Sequence, residues 1–450
     1  MDRRKVLEQF EDSEDFFNNV IYPNIEKYRK GEMVLSLVDK SGNTVPNAKI
    51  KINQINHEFK FGANLFMLDE LESDEKNQLY KDYFKKAFNM ATLPFYWSSI
   101  EPKKGKLRYD KNSEKYYRRP PIDLCMEYCE ENKIEPREHA LAYEHLFPDW
   151  LKDYSVREVK TELERRYKEI ADRYKDKIPT IEVTNEMLWG HSAGVTEFYN
   201  ENDYVEWCFK LAEKYFPNNQ LVINEFTEAF WGDNCRSTDR YYAYIEANML
   251  KGAKIDAIGA QFHMFEDRKS EITKSTYLYN PKCLYEHMDL YSNLSKHLQV
   301  TEITIPAYSN DPLDEEIQAR LIEYLYTVWF SHPNMEQIIY WNLVDGYAYV
   351  PDPNPEAIRR TQGNMSVGEN VYYGGLFRFD MTPKPSYSTL ENLINKKWHT
   401  ELNSTLNDEG CVDFRGFYGD YEIEITLGKK TIKKSFTLSS KKENNLTLTI

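Results

Sequence analysis

The chain of 450 residues is 41% hydrophobic and 14% aromatic, and it carries a formal net charge of −15. Its length allows one large domain together with a small accessory domain, and three domains at most. The negative charge argues against nucleic acid and anionic membrane surfaces as partners, because both are polyanions.

The beginning of the chain, MDRRKVLEQFEDSEDFF, has no apolar run long enough for a signal sequence. Nowhere do 18 uncharged apolar residues occur together, so no membrane-spanning helix is predicted. We therefore expect a cytoplasmic protein, or a secreted one if a leader has been removed. The sequence does not indicate an oligomeric state.

Both ends of the chain carry alternating patterns that are typical of β-hairpins. After a helical pattern in residues 1–30, MVLSLVDKSGNTVPNAKIKI alternates around a Ser-Gly-Asn turn, and GDYEIEITLGKKTIKKSFTL alternates around Gly-Lys-Lys. We predict three regions: a helix and strands in 1–58, a catalytic barrel in 59–398, and strands in 399–450. The last region is expected to pack with the N-terminal strands as one small β module.

Eight segments of the central region resemble buried strands, since most begin with apolar residues and turn polar or aromatic late. They are FKFGANL (59–65), MATLPFYW (90–97), PREHALAY (136–143), TIEVTNE (180–186), QLVINEF (220–226), DAIGAQFHM (256–264), LQVTEITI (298–305) and QIIYWNLV (337–344).

The spacers between these segments carry helical patterns, most clearly after Ser155, where Ser155-x-x-Glu158 has the spacing of a capping box. Eight alternations of strand and helix predict an α/β fold of the (β/α)8 or TIM-barrel type. A doubly wound sheet is the alternative, but the glycine-rich phosphate turn expected after its first strand is absent from the sequence.

The active site of such a barrel lies where the strands end, so the last residues of each strand are the candidates. The set has no HExxH or His-x-His metal signature and no cysteine nucleophile, and we predict neither a metal nor an organic cofactor. The candidates are His139, Tyr143, Asn185, Glu186, Asn224, Glu225, Gln261, His263, Glu302, Trp341 and Asn342.

Two strand-end glutamates suit glycoside hydrolysis, in which one carboxyl group protonates the leaving oxygen and the other attacks the sugar. Glu186 on the fourth strand and Glu302 on the seventh are nearly opposite, at the separation expected of a retaining enzyme. An Asn-Glu pair occurs twice, however, so Glu225 remains an alternative to Glu186. His263 is expected to hold Glu302 in place.

Aromatic residues at the strand ends are candidate platforms for sugar rings, because the C–H groups of a sugar face pack on aromatic faces. Tyr143, Trp341 and Trp97 are the three candidates, and ordinary core packing is the alternative for each.

Several motifs in this order resemble glycoside hydrolase family 10, the retaining endo-β-1,4-xylanases, over roughly residues 59–398. EVTNE and VTEITI are similar to the family's VVNE and TEL or TEI stretches, and AIGAQFH to its GIGxQxH. EHALAYEHLFPDW is similar to GHTLVWH…PDW, and GGLFRFDMTPKPSY to LLFD…KPAY.

The resemblance implies Glu186 as the general acid/base, with Asn185 beside it, and Glu302 as the nucleophile. It also carries over substrate contacts at His139, Gln261, His263 and Trp341. By this analogy Glu186 is favoured over Glu225.

Two departures from the family pattern fall in regions that contact the substrate. The family's TPENEMKW, whose polar residues bind sugar, is replaced by ATLPFYWSSIEP, and its tryptophan and following histidine are replaced by Tyr143 and Glu144. The segment 106–121 adds Arg118 and Arg119, which are either solvated loop charges or ligands for a carboxylated sugar.

The sequence therefore predicts a retaining β-glycosidase that cleaves β-1,4-xylosidic bonds in xylan or xylo-oligosaccharides. Two alternatives remain open. The same chemistry could act on another β-linked or acidic glycan or a glycosylated small molecule, or the barrel could bind carbohydrate without cleaving it.

Overall fold

Eight parallel strands close into a barrel in the computed structural model, which describes residues 2–189, 193–351 and 360–450. Each strand is hydrogen-bonded to its sequence neighbour, and the last pairs with the first, which confirms the predicted (β/α)8 fold. The strands are β3 (Lys60–Asn64), β4 (Met90–Pro94), β5 (Glu135–His139), β6 (Thr180–Asn185), β7 (Gln220–Glu225), β8 (Ala257–His263), β9 (His297–Thr304) and β10 (Met335–Tyr340).

Helices connect the barrel strands and cover the outside of the barrel. Val156–Tyr174 begins at the predicted capping box, in which the Glu158 carboxylate accepts the Ser155 N–H at 2.8 Å. Among the described residues, no helix has the length and apolarity needed to span a bilayer. The longer helices are Asp74–Ala87, Ile122–Asn132, Val156–Tyr174, Tyr204–Tyr215, Arg240–Leu250, Arg268–Leu278, Pro281–Ser292, Pro312–Ser331 and Pro385–Asn392.

Two small sheets form a module from the two ends of the chain, as predicted, and their apolar faces share one core. The chain turns between β13 (Gly419–Leu427) and β14 (Lys430–Leu438) at Gly428, whose positive φ suits a tight hairpin. One sheet contains β12 (Cys411–Phe417), β1 (Lys30–Val38) and β15 (Asn445–Thr449). The other contains β11 (Glu401–Thr405), β2 (Lys49–His57), β13 (Gly419–Leu427) and β14 (Lys430–Leu438).

The predicted N-terminal hairpin is confirmed only at its turn, where Val38 pairs antiparallel with Thr44 around Ser41–Asn43. The pairing of the two long strands is wrong. β1 and β2 lie in different sheets, because β1 pairs with β12 and β15 while β2 pairs with β11 and β13. Alternation of apolar and polar residues shows which face of a strand is buried, but it does not name the partner strand.

The N-terminal helical segment packs on the barrel and not on the module. The Phe10 ring stacks on Tyr324 of a barrel helix at 4.8 Å, and the Arg3 guanidinium donates to the Glu271 carboxylate at 2.9 Å. The predicted region 1–58 therefore divides between two cores, with its helical part in the outer layer of the barrel.

His57 lies where the module meets the N-terminal ends of the barrel strands, beside a cavity of about 770 Å³. Its Nε2 donates to the Ile394 carbonyl at 3.1 Å, and its Nδ1 lies 3.3 Å from the Gln54 amide nitrogen. Burial lowers the pKa of His57 to about 4, so the ring is neutral in the folded protein at neutral pH. This end of a barrel usually contributes to stability, whereas catalysis takes place at the opposite end.

His57 is expected to make stability depend on pH. In the unfolded chain its pKa returns to about 6.5, so stability falls as pH drops below 6.5 toward 4, by about 2 kcal/mol between pH 7 and pH 5. A His57→Gln variant keeps a donor to Ile394 but does not titrate. Between pH 7 and pH 5 its free energy of unfolding should therefore fall by about 2 kcal/mol less than that of the wild type. Urea unfolding at both pH values measures this. His297→Gln, at an exposed histidine, is the control, and parallel losses in all three proteins would refute the role of His57.

Candidate active site

A cavity of about 630 Å³ opens at the C-terminal ends of the barrel strands. It collects side chains from the ends of the strands β3 to β10 and their following loops, as the geometry of a barrel requires. Eight of the twelve sequence candidates line it: His139, Tyr143, Asn185, Glu186, Gln261, His263, Glu302 and Trp341. Trp97, Asn224, Glu225 and Asn342 do not.

One amide nitrogen joins the two candidate catalytic glutamates. Gln261 Nε2 donates to Glu186 Oε1 at 2.8 Å and to Glu302 Oε1 at 3.3 Å. Because both oxygens contact the same nitrogen, they are at most about 6 Å apart. That bound fits the roughly 5–5.5 Å of retaining glycosidases and falls below the roughly 6.5–9.5 Å of inverting ones.

Glu186 follows directly after β6, in a left-handed conformation with φ of 55°. A non-glycine residue there costs on the order of 1–3 kcal/mol, and such strain is concentrated at functional sites. The carboxylate is fixed from two sides, since the Tyr143 hydroxyl donates to Oε2 at 2.8 Å and Gln261 donates to Oε1. The tyrosine that departs from the family pattern therefore contacts the candidate acid.

Glu302 is buried and receives three donors. Asn224 Nδ2 lies 3.1 Å from Oε1, Gln261 Nε2 lies 3.3 Å from the same oxygen, and His263 Nε2 lies 3.2 Å from Oε2. Hydrogen bonds donated to a carboxylate stabilise its anionic form and hold it in one orientation. His263 thus contacts Glu302, as expected from the sequence.

Several charges act on Glu302 in opposite directions. Burial raises the pKa of its carboxyl group, and Glu182 and Glu186 raise it further, whereas His139 and Arg137 oppose the shift. Two carboxyl groups this close favour a state in which the pair holds a single proton. Retaining glycoside hydrolysis needs that state, with one group acidic and the other anionic.

His263 donates to Glu302 as a neutral ring. Burial lowers the pKa of His263 to about 4, and the Thr304 hydroxyl lies 2.9 Å from Nδ1, where it donates to the unprotonated nitrogen. This arrangement leaves the proton on Nε2, facing Glu302. A neutral donor orients the carboxylate without cancelling its charge.

Asn224 is the centre of the hydrogen-bond network beneath the cavity. Its Nδ2 donates to Glu182 at 3.2 Å and to Asn185 at 3.0 Å in addition to Glu302, and its Oδ1 accepts from Thr301 at 2.7 Å. Gly259 on β8 leaves the space for it, because a Cβ at that position would lie 2.6 Å from Asn224 Oδ1.

A buried charge layer lies below this network. Glu182 pairs with the Arg137 guanidinium and contacts His139 Nδ1 at 2.8 Å, while His139 Nε2 contacts the Tyr96 hydroxyl at 2.8 Å. Despite the opposing effect of burial, His139 and Arg137 lower the pKa of Glu182. His139, Glu182 and Glu302 offer ligand atoms within 4.8 Å of one another and could hold a metal ion, but Arg137 already supplies a cation to Glu182.

Of the two glutamates that follow an asparagine, Glu186 lines the cavity and Glu225 does not. Glu225 is buried outside the cavity lining, where its Oε1 accepts the Leu188 N–H at 2.7 Å, and burial raises its pKa to about 8. Glu186 lines the cavity next to Glu302. Glu225 therefore supports the turn after β6, and only Glu186 of the two can reach a ligand in this cavity.

Aromatic rings form two walls of the cavity. Phe66, Tyr96 and Trp341 pack together on one side, with the Phe66 and Trp341 ring centroids 5.1 Å apart. On another side Trp189, which is 55% exposed, lies against Phe226 at 4.4 Å. Trp189 was not among the sequence candidates, although MLW directly follows Glu186.

The prediction of a sugar platform at Trp97 is wrong. β4 ends at Pro94, and Trp97 begins a short helix, Trp97–Ile100, where its ring is buried against Phe147 at 5.0 Å. Its Nε1 donates to Glu101 at 2.9 Å, and the residue does not line the cavity. Tyr96, the preceding residue, takes the position in the cavity wall.

Arg118 and Arg119 both line the cavity, beside Phe66 and Tyr96. The Arg119 guanidinium lies over the Tyr96 ring at 4.2 Å from its centroid, and both arginines lie 5.4 Å from the Phe66 centroid. The reading of these residues as solvated loop charges is therefore wrong.

A (β/α)8 barrel with two strand-end glutamates held by one glutamine nitrogen is the architecture of a glycoside hydrolase. The family described as Glycosyl hydrolase family 10 matches residues 53–392. The chain belongs to that family.

Individual relatives are distant in sequence. Endo-1,4-beta-xylanase 1 of Arabidopsis thaliana is 23% identical over 94% of this chain and 39% of its own length. Anti-sigma-I factor RsgI6 of Acetivibrio thermocellus is 24% identical over 92% of this chain and 47% of its own length. The chain thus spans less than half the length of these two relatives. Native xylanase 10B from Thermotoga maritima has a TM-score of 0.57 at 21% identity, covering 76% of this chain and 96% of that structure.

Proposed function

We propose that the protein is a retaining β-glycosidase that cleaves β-1,4-xylosidic bonds in xylan or xylo-oligosaccharides, with Glu302 as nucleophile and Glu186 as general acid/base. The observation that carries the proposal is the shared Gln261 nitrogen, which keeps the two carboxylates within about 6 Å. Membership of glycosyl hydrolase family 10 and the names of the xylanase relatives support the substrate class.

Burial raises the pKa of Glu302 and so favours the shared proton on that residue, whereas the reactive state has the proton on Glu186 and the charge on Glu302. From that state, in the first step, Glu302 attacks the anomeric carbon while Glu186 gives its proton to the leaving oxygen. Asn224 and His263 hold Glu302 in one orientation by their donated hydrogen bonds, so little reorganisation is needed when the carbon–oxygen bond forms. Gln261 fixes the spacing of the pair.

In the second step Glu186, now anionic, removes a proton from water, and the resulting hydroxide displaces Glu302 from the sugar. Two inversions at the same carbon return the original β configuration.

The cavity walls suit a chain of sugar rings. The exposed Trp189, against Phe226, lies three residues beyond Glu186 and offers a face for the sugar on the leaving-group side. Phe66, Tyr96 and Trp341 form the other wall.

Product analysis tests the proposal. We expect the wild-type protein to cleave linear xylo-oligosaccharides in preference to cello- and manno-oligosaccharides, and proton NMR should show the β-anomer as the first product. A first-formed α-anomer would contradict the double displacement. Cleavage of only the cello- or manno-series would contradict the xylan assignment while leaving the catalytic pair in place.

A further inference from the structure

Arg118 and Arg119 place two positive charges in the wall of the catalytic cavity. Arg118 donates from Nη1 to the Asn342 side-chain oxygen at 2.7 Å and to the Tyr347 carbonyl at 2.8 Å, and both acceptors are neutral. Arg119 Nη1 donates to the Arg118 carbonyl at 2.8 Å, also neutral. Within the described ranges, neither guanidinium has a carboxylate within ion-pairing distance.

Arg118 is buried and Arg119 is half-buried, and two adjacent cations with no carboxylate in contact among the described residues are costly to hold in a protein. Arg118 is only 3% exposed, and its buried Nε has no hydrogen-bond partner among the described residues. Burial lowers the pKa of Arg119 to about 10, with Arg118 contributing, yet the group is still charged at neutral pH. Arg118 also adopts a left-handed backbone with φ of 60°.

The carboxylates in the rest of the cavity already have partners. Lys274 contacts Glu228 at 2.6 Å and Glu266 at 2.5 Å. Glu369 accepts from Asn342 Nδ2 at 2.7 Å, and the oxygen of the same amide accepts from Arg118, so Asn342 lies between this carboxylate and the arginine. Glu186 and Glu302 are held by the donors described above. Among the described residues, the arginine pair therefore has no carboxylate in direct contact, and Asn342 separates Arg118 from Glu369. A ligand carboxylate could bind the pair directly.

We propose that Arg118 and Arg119 bind the carboxylate of a uronic acid residue carried by the glycan substrate. The Arg119 guanidinium is held by the Tyr96 ring, 4.2 Å from its centroid, and by the Arg118 carbonyl that accepts from Nη1. A planar carboxylate can accept from a guanidinium fork through two oxygens. In the same wall Trp341 keeps a small accessible area for a sugar ring, and Phe66 lies fully buried behind it. This inference rests on the proposed function, and it makes an acidic, uronic-acid-bearing xylo-oligosaccharide the preferred substrate.

The test compares neutral xylo-oligosaccharides with the same chains carrying one glucuronosyl residue, at the non-reducing end or at an internal position. We expect the wild type to have at least tenfold higher kcat/KM on one acidic isomer than on its neutral parent. Arg119→Gln should reduce that ratio by about tenfold or more, and Arg119→Lys, which keeps the charge but not the fork, should reduce it less. Arg173→Gln removes a matched cation, over Tyr109 at 4.8 Å and outside the cavity, and should leave the ratio unchanged.

Calorimetric binding to the Glu302→Gln variant, with and without Arg119→Gln, gives a readout independent of turnover. Tighter binding of an acidic isomer that is lost with Arg119→Gln supports the inference even if no substrate is cleaved, in which case the proposed function alone fails. Equal binding of acidic and neutral ligands, or no binding of any acidic isomer, overturns the inference. A similar loss for neutral and acidic ligands in Arg119→Gln also overturns it, since that is the result of a purely structural role.

Discussion

Replacing Glu302 with glutamine is expected to abolish hydrolysis of xylo-oligosaccharides, leaving less than about one part in a thousand of the wild-type kcat. An amide has nearly the same shape as the carboxylate but cannot form the glycosyl ester. Initial rates measured with long incubations and a purified variant test this. Residual activity above that level, or a variant that cleaves with a different anomeric outcome, would contradict the nucleophile assignment.

The same variant should be at least as stable as the wild type, so its inactivity would not reflect misfolding. Burial raises the pKa of Glu302 in the folded protein to about 8, so the stability that this carboxyl group contributes is lost as pH rises from its unfolded pKa of about 4.3 to the folded value. Glutamine has no such ionisation. We expect an equal or higher melting temperature at pH 7, measured by calorimetry.

Glu182, a second buried glutamate, is a control because its pKa is shifted in the opposite direction from that of Glu302. Glu182 also contacts Asn224, but its pKa is lowered by His139 and Arg137 against the effect of burial, so its ionised form stabilises the fold at neutral pH. Glu182→Gln should cost about 3–5 kcal/mol, because it leaves Arg137 buried without its partner. If both variants lost stability equally, burial of charge at Glu302 would not have the assigned cost.

The barrel could be predicted from the sequence because its strands are short apolar runs separated by helices with strong signals, such as the Ser155 capping box. The module was predicted only in part. Strand pairing between β1 and β12 joins residues nearly 400 positions apart, and the alternating pattern in each strand is compatible with several partners.

The sequence predicted those site residues that lie at the C-terminal ends of the barrel strands. Glu186, Gln261, His263 and Glu302 follow from that rule, but the contacts of Asn224 do not, because they depend on β-bulges. β9 has a register shift at Thr301, and consecutive residues Thr301 and Glu302 both contact Asn224. Regular alternation would put these two side chains on opposite faces.

A similar shift in β6 explains why Glu182 was missed. The pairing with β7 is irregular between Glu182 and Thr184, and both Glu182 and Asn185 reach Asn224 although they are three residues apart. The error at Trp97 has a different origin. β4 ends three residues earlier than its apolar run suggests, and the residues after Pro94 turn into a helix.

Replacing Glu186 with alanine is expected to reduce activity in a manner that depends on the leaving group. On xylo-oligosaccharides, whose alcohol leaving group needs a proton, kcat/KM should fall by about 10³-fold. On a dinitrophenyl xylobioside, whose phenol leaves without protonation, kcat/KM should stay within about tenfold of wild type. The second step still lacks its base, so kcat should fall and a burst of phenol should precede the steady state.

Azide restores the second step in this variant if Glu186 acts as its base, because the anion attacks the glycosyl ester without deprotonation and fits the space that the carboxylate vacates. The product should be a β-xylobiosyl azide, identified by NMR. Glu225→Gln is the matched control, since Glu225 belongs to the other Asn-Glu pair but lies outside the cavity lining. That variant should lose activity equally on both substrates or not at all, and azide should not affect it. Leaving-group dependence in Glu225→Gln, or its absence in Glu186→Ala, would transfer the acid role away from Glu186.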